Sequence, residues 1–149
     1  GPNQLHVLRE DVNVTAADLL GVPMGEITEP GLCKNVTVGM RYLEAWLRGV
    51  GCVPINNLME DAATAEICRS QVWQWLKHEV VLKGGMPITR ELVGSLIEEE
   101  VERLGNPTAE LAGILFDKLV TAPKFIDFLT IPAYDLLLEL EKQSLEVER

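Results

Sequence analysis

The sequence predicts an all-α fold, a compact bundle of about five to seven helices. Three observations support this prediction. Apolar residues recur three or four positions apart over several long segments. Threonines that can act as N-caps precede most of these segments, and glycines or prolines separate them. The 149 residues are enough for one domain with a buried core.

The chain is predicted to consist of a lead-in segment followed by one domain. Residues 1–27 have no strong period and are predicted to be a linker, with one or two helical turns at 15–20. Residues 28–149 are predicted to form the helical domain. Thr28 is the expected N-cap of a first long helix, which Gly49 and its neighbours end.

A loop is predicted over residues 50–57, followed by a second long helix from near Met59 to His78. Gly84 and Gly85 indicate a turn, with a short extended pair around it. The apolar side of the second helix is predicted to comprise Ile67, Val72, Trp75 and Leu76.

Four further helices are predicted in the C-terminal half. Thr89 is the expected N-cap of the third, and Gly105-Asn106-Pro107 separates it from the fourth. Thr121 and Thr130 are interpreted as N-caps of two closing helices. The charge-rich tail, residues 139–149, is expected to fray.

Charge and cysteine content exclude several classes of function. The net charge of −10 argues against binding to nucleic acid or to anionic membranes, and a polyanionic cofactor would need basic residues from elsewhere. Three cysteines without a CxxC pair favour a reducing compartment. The sequence has no membrane-length apolar run, no signal peptide and no peroxisomal C-terminal tripeptide, so a cytoplasmic location is predicted.

Asp61 is the residue that most suggests chemistry. It lies in the first turn predicted for the second long helix, where a carboxylate is favoured by free amides and the helix dipole. Helix-end stabilisation explains it well. It could also act as a general base, because Ala62, Ala63 and Ala65 leave room beside it. Glu60 points about 100° away, so the two acids make a poor proton-sharing pair.

The other polar candidates favour structural roles. His6 and His78 are far apart in sequence, so no metal site is predicted in this chain. Cys52 is interpreted as a packing thiol, and Glu98–Glu100 as a solvated helix face. The tryptophans are predicted to lie in the core or at an interface: Trp46, Trp73 and Trp75.

One long block resembles the signature region of the malate synthases, the A-type enzymes of bacteria and plants. The similarity also includes parts of residues 2–20, which resemble the run leaving the barrel, and residues 127–134, which resemble the closing motif of the family. The residues of the block that carry it are Arg41–Gly49, Gly51–Pro54, Asn57–Ile67 and Trp73–Trp75.

The resemblance implies a fold, a reaction and a division of labour. Malate synthases condense acetyl-CoA with glyoxylate and water to malate and CoA, in the glyoxylate cycle. Their fold is a TIM barrel followed by a C-terminal helical plug, and this chain resembles the plug with its connection but no barrel. The aspartate of the Met-Glu-Asp motif, here Asp61, is the family's general base. The magnesium ligands, an enolate-stabilising arginine and most of the CoA pocket are expected on the barrel domain.

Residues near Asp61 are expected to line the substrate site. The candidates are Cys52, Pro54, Asn57, Met59 and Glu60. The expected partners are the barrel domain, acetyl-CoA and glyoxylate, and the isolated chain is expected to be inactive. Two alternatives remain open: a non-catalytic docking or regulatory module, and a split subunit that meets a separate barrel chain. For the docking or regulatory module, the surface facing the barrel should be unusually apolar for a monomer.

Overall fold

The computed structural model describes the backbone of residues 3–147 and the side chains of residues 3–142. Pro2, where the resemblance begins, and the C-terminal pair Glu148-Arg149 lie outside the described residues. In the described part, six helices and two short strands follow in order. They are α1 (Ala16–Leu20), α2 (Glu29–Leu47), β1 (Val53–Ile55), β2 (Leu58–Glu60), α3 (Ala62–Lys77), α4 (Arg90–Leu104), α5 (Pro107–Thr121) and α6 (Thr130–Val147).

The mostly helical prediction is confirmed, and several predicted helix starts are correct. The side-chain oxygens of Thr15, Thr28 and Thr89 cap α1, α2 and α4 by accepting a hydrogen bond from a first-turn amide. Gly105 ends α4 in the left-handed conformation, at φ 62°, which glycine adopts without strain. Asn106 then caps α5, so two consecutive residues produce a sharp break between helices.

Helix α2 lies at the centre of the domain and packs against α3, α4 and α5. Gly39 allows the closest approach, because a Cβ at this position would lie 2.3 Å from Cε2 of Phe116 on α5. The main core is apolar and includes Leu32, Val36, Met40, Leu43, Val72, Val93, Phe116 and Leu119. By contrast, every side chain from residue 3 to residue 26 is exposed.

Two expectations about secondary structure were wrong. Residues 53–60 form a β-hairpin rather than a loop running into a helix, so the fold is not purely α. Thr121 caps no helix, because its hydroxyl donates to the carbonyl of Asp117 one turn back, and residues 122–129 are irregular. The segment that is expected to fray, residues 139–149, is helical as far as Val147, where α6 ends.

Two expectations about burial were also wrong. Ile67 is 59% exposed, because α3 turns Ala65, Cys68 and Val72 toward the core instead. Glu100 is only 1% exposed and pairs with Arg residues of α2 and α4, so the acidic run is not wholly a solvated face. Elsewhere, Trp46 and Trp75 pack against the core, as predicted. No helix within the described ranges is both long and apolar enough to cross a bilayer.

Candidate active site

Asp61 is the N-cap of α3, one position before the first turn in which it was predicted. Its backbone is extended, with φ −122° and ψ −174°. Its Oδ1 accepts hydrogen bonds from the amides of Ala63, at 2.9 Å, and Thr64, at 3.2 Å. Its Oδ2 makes no hydrogen bond or ion pair within the described part of the chain, and the residue is exposed. Asp61 therefore stabilises a helix end with one oxygen and keeps the other available for chemistry.

A two-residue turn joins the two strands of the hairpin that directly precedes Asp61. Asn56 and Asn57 have φ values of 51° and 63°, the left-handed region required by a type I′ turn. Strand β1 then pairs with β2 in antiparallel register, with Val53 opposite Glu60. Ile55 is buried on the inner side, in a small cluster with Val38 and Cys68. This cluster joins the hairpin to α2 and α3.

Four of the five predicted lining residues are exposed, and two of them lie on the outer side of the hairpin. Pro54 and Met59 are paired across the two strands, and both are exposed, Met59 at 69%. Asn57 at the tip and Cys52 just before β1 are exposed as well. All four side chains are therefore accessible, and Met59 is two residues from Asp61 in the chain.

Glu60 departs from this pattern because it faces inward. It is buried at the end of β2 and lies near Cys68. Burial of Cys68, and then the negative charge of Glu60, raise the pKa of that thiol to about 11. Cys68 is therefore a protonated packing thiol at neutral pH, and the exposed acid of the pair is Asp61.

Tyr42 connects the turn after α2 to this site. Its hydroxyl donates to the carbonyl of Gly51 at 3.2 Å, which ties the segment carrying Cys52 to α2. Burial raises the pKa of Tyr42, and the charges of Cys52, Asp61 and Glu66 raise it further. The phenol therefore stays protonated and can keep donating at neutral pH.

Sequence reasoning missed a buried polar cluster on α3. Arg69 is 1% exposed and pairs with Glu66, whose other oxygen accepts from the amide of Leu129 at 2.7 Å. The available signal was Arg69 itself, which falls on the apolar face between Ala65 and Val72. A charged residue in that position indicates a buried ion pair.

The residues around Asp61 do not suit a metal ion. Its nearest polar partners are backbone N–H donors, which repel a cation, and the positive end of the α3 dipole adds to this. Among the described residues, no three His, Cys, Asp or Glu side chains are grouped as a metal site would require. His78 lies at the opposite end of α3, where it forms the C-cap.

Comparison with known proteins identifies relatives for nearly the whole chain. The family described as "Malate synthase, C-terminal" matches residues 26–137. A malate synthase of Myxococcus xanthus is 51% identical over 92% of this chain, and malate synthase A of Escherichia coli is 44% identical over 91%. A glyoxysomal malate synthase of Cucumis sativus is 45% identical over 91%. The chain spans 26–27% of the length of these three relatives.

Proposed function

Because the chain belongs to the malate synthase family, we propose that it supplies the general base of an active site shared with a barrel domain. The reaction is the condensation of acetyl-CoA with glyoxylate and water to malate and CoA. One observation carries the proposal. Asp61 is an exposed carboxylate with Oδ1 fixed by two helix amides and Oδ2 unengaged by the described residues.

The geometry suits proton abstraction from the acetyl methyl group. Oδ2 would take a methyl proton, and the resulting enolate carbon would attack the aldehyde carbon of glyoxylate, forming the new C–C bond. The aldehyde π bond breaks in this step, and its oxygen takes up a proton to become the hydroxyl group of the product. Water then cleaves the thioester and releases CoA. The amides of Ala63 and Thr64 fix the direction of the carboxylate, so the base needs little reorganisation before the reaction.

The exposed hairpin side chains are proposed to line the site. Pro54 and Met59 offer an apolar surface directly before Asp61 in the chain, and this surface would exclude water from the reacting methyl group. Cys52 and Asn57 flank that surface. Glu60 is proposed to act only indirectly, because it is buried on the other side of the hairpin.

The remaining chemistry is assigned to the barrel domain. Magnesium, implied by the family resemblance, finds no suitable ligand set among the residues the structure describes, so we place its ligands on that domain. The cation that stabilises the enolate would also come from there. The net charge of −10 likewise favours binding of the CoA phosphates by residues outside this chain.

A cytoplasmic location is proposed on the basis of the cysteines. Cys33, Cys52 and Cys68 are all free thiols, as is usual in a reducing compartment. The Cucumis sativus relative is described as glyoxysomal, so fractionation of the native host cell is the appropriate test.

The role of Asp61 is tested by Asp61→Asn in the full-length enzyme that carries this domain. Asparagine keeps an oxygen for capping but cannot accept the proton, so kcat should fall by about 10²- to 10⁴-fold while acetyl-CoA and glyoxylate still bind. Asp117→Asn, at an exposed position on α5, is the control and should leave turnover unchanged. Near-normal turnover of the Asp61 variant would support the docking-module alternative instead.

A further inference from the structure

Residues 122–129, here called the strap, join α5 to α6 without regular structure. We propose that the strap is a clamp that fixes α3 and so holds the Asp61 carboxylate in its reactive position. The residues through which it acts are positioning residues and do not touch the substrate. The link to turnover rests on the proposed function of Asp61, whereas the effect on the position of α3 does not.

The strap runs antiparallel to α3 and is bonded to it at three levels. Successive strap residues contact α3 at positions that lie progressively nearer to the N-terminus of the helix. Trp73 Nε1 donates to the carbonyl of Ala122 at 2.8 Å, Arg69 Nη2 donates to that of Asp127 at 3.1 Å, and Glu66 Oε1 accepts from the amide of Leu129 at 2.7 Å.

Helical periodicity places these three contacts on one side of α3. Glu66, Arg69 and Trp73 are spaced i, i+3 and i+7, which puts them on one helix face. Phe125 of the strap lies against the same face. The guanidinium of Arg69 is 4.1 Å from the centroid of its ring, and the Trp73 ring meets it edge-on at 5.2 Å. All three bonds go to strap backbone atoms, so they fix the path of the chain.

The burial of Arg69 indicates that this side chain fixes the position of the strap on α3 and does not only add stability. Its side chain is 1% exposed, and its Nη1 has no hydrogen-bond partner within the described structure. A buried guanidinium carries a desolvation cost that an apolar side chain of similar length would avoid. The Arg69–Glu66 pair lies within α3, and each member also bonds the strap backbone, so a strap shifted along α3 would lose the bonds to the carbonyl of Asp127 and the amide of Leu129.

The clamped face begins close to Asp61. Glu66 follows Asp61 by five residues, which is about 7.5 Å along a helix axis. Between them, the amide of Ala65 donates to the carbonyl of Asp61 at 3.2 Å. A displacement of α3 therefore moves the carboxylate with it. Misplacing a reacting group by about 1 Å can cost about 100-fold in rate.

The first test measures how firmly the first turn of α3 is held, and it does not depend on enzymatic activity. In the 149-residue chain, Arg69→Met should accelerate amide hydrogen exchange at Thr64 and Ala65 by about tenfold or more, because the first turn opens more often. Arg41→Met is the matched control. It removes a 2.6 Å ion pair with Glu100 of α4 and should leave exchange at these two amides unchanged. Unchanged exchange in Arg69→Met would overturn the inference.

The second test measures turnover in the full-length enzyme. Arg69→Met should lower kcat by about 10- to 100-fold and leave KM within about twofold, whereas Arg41→Met should change neither. Trp73→Phe keeps a ring against Phe125 but loses the indole N–H, so its kcat should fall less. This variant also serves if Arg69→Met fails to fold. Equal losses of kcat in the Arg69 and Arg41 variants would contradict a specific positioning role.

Together the two tests distinguish this inference from the proposed function. Accelerated exchange in Arg69→Met supports the hold of the strap on α3, even if Asp61→Asn turns over normally. That combination would contradict the role of Asp61 as the base and leave the clamp intact. Normal exchange contradicts the clamp whatever the turnover of either variant.

Discussion

Asp61 uses its two carboxylate oxygens for different purposes. Oδ1 accepts hydrogen bonds from the amides of Ala63 and Thr64. Oδ2 has no polar partner among the described residues and is the oxygen proposed to accept the proton. The structural and the catalytic interpretations of this residue therefore do not exclude each other. One substitution of Asp61 can remove the proposed base and keep the N-cap, whereas another removes both.

Asp61→Asn and Asp61→Ala should differ in stability. Asparagine is as good an N-cap as aspartate, so the free energy of unfolding should change by no more than a few tenths of a kcal/mol. Alanine removes the acceptor, and the loss should be about 1 kcal/mol. Urea denaturation of both variants provides the measurement. An equal loss in both would show that Oδ1 does not act as the cap.

Cys68 should make the protein less stable in alkaline solution. Burial, and secondarily Glu60, raise its pKa from 9.0 to about 11 in the folded state. The unfolded chain therefore loses this proton first, and the free energy of unfolding falls as the pH rises from about 9 to about 11. Below pH 9 the contribution is fully present. Two pKa units correspond to roughly 2–3 kcal/mol.

Chemical denaturation between pH 8 and pH 11 tests this expectation. Cys68→Ala should lower stability below pH 9, because it leaves a cavity, and should flatten the decline above pH 9. Cys52→Ala, at an exposed thiol, is the control and should keep the decline. If the Cys68 variant declined as steeply as the wild type, the thiol would not be the titrating group.

At the scale of elements, the hairpin between α2 and α3 decides where Asp61 lies. Its turn needs two residues with positive φ, and asparagine tolerates that conformation better than most residues. The buried Ile55 then fixes which side of the hairpin faces the core. As a result Met59 points outward and Glu60 inward.

Asn57→Val should disturb this element, whereas Asn57→Gly should not. Valine is strained at a φ of 63°, so unfolding should become easier by about 1–3 kcal/mol. Glycine adopts this φ freely and should stay within about 0.5 kcal/mol of the wild type. Thermal unfolding of the two variants checks the difference. Similar melting temperatures would mean that the turn conformation does not constrain the hairpin.

Local chemistry explains why some elements could be predicted from sequence. Thr28 and Thr89 each precede a segment with helical periodicity, and both act as caps. Thr121 has the same local signal but lies at the end of a helix, where its hydroxyl bonds a preceding carbonyl instead. Leu58 and Met59 are good helix formers, and only the turn before them makes them a strand.

The polar cluster was harder to predict because its partners are distant in sequence. Arg69 meets the carbonyl of Asp127, 58 positions away, and Arg41 meets Glu100, 59 positions away. A sequence pattern identifies the charged residue but not the neighbour that allows its burial. For the same reason Glu100 was placed on the surface, although it is 1% exposed. The prediction that Asp61 is a general base, by contrast, came from a contiguous motif.

At the scale of the whole molecule, the chain carries the proposed base and a partly apolar surface beside it. Leu58 is 53% exposed, Met59 is 69% exposed, and both immediately precede Glu60 and Asp61. Exposed apolar side chains of this kind favour docking against another surface. The chain also spans only 26–27% of the length of its relatives. Both observations support the proposal that a second domain completes the active site.

The chain alone should show no measurable condensation activity. With magnesium, acetyl-CoA and glyoxylate supplied, it would still lack the electrophile pocket and the enolate-stabilising cation that are proposed to lie on the barrel domain. A thiol assay for released CoA measures this directly. Release of CoA at a rate typical of enzymes would mean that the chain contains a complete site.

The proposal that Asp61 is the base of an active site shared with a barrel domain is tested most directly by mixing the purified barrel domain with this chain. The measurement is the rate of CoA release. The wild-type chain should restore turnover. The Asp61→Asn chain should dock with the same affinity, measured by light scattering or calorimetry, but give about 10²- to 10⁴-fold less turnover. If the two chains restored turnover equally, Asp61 would not be the base, and the domain would act by docking alone.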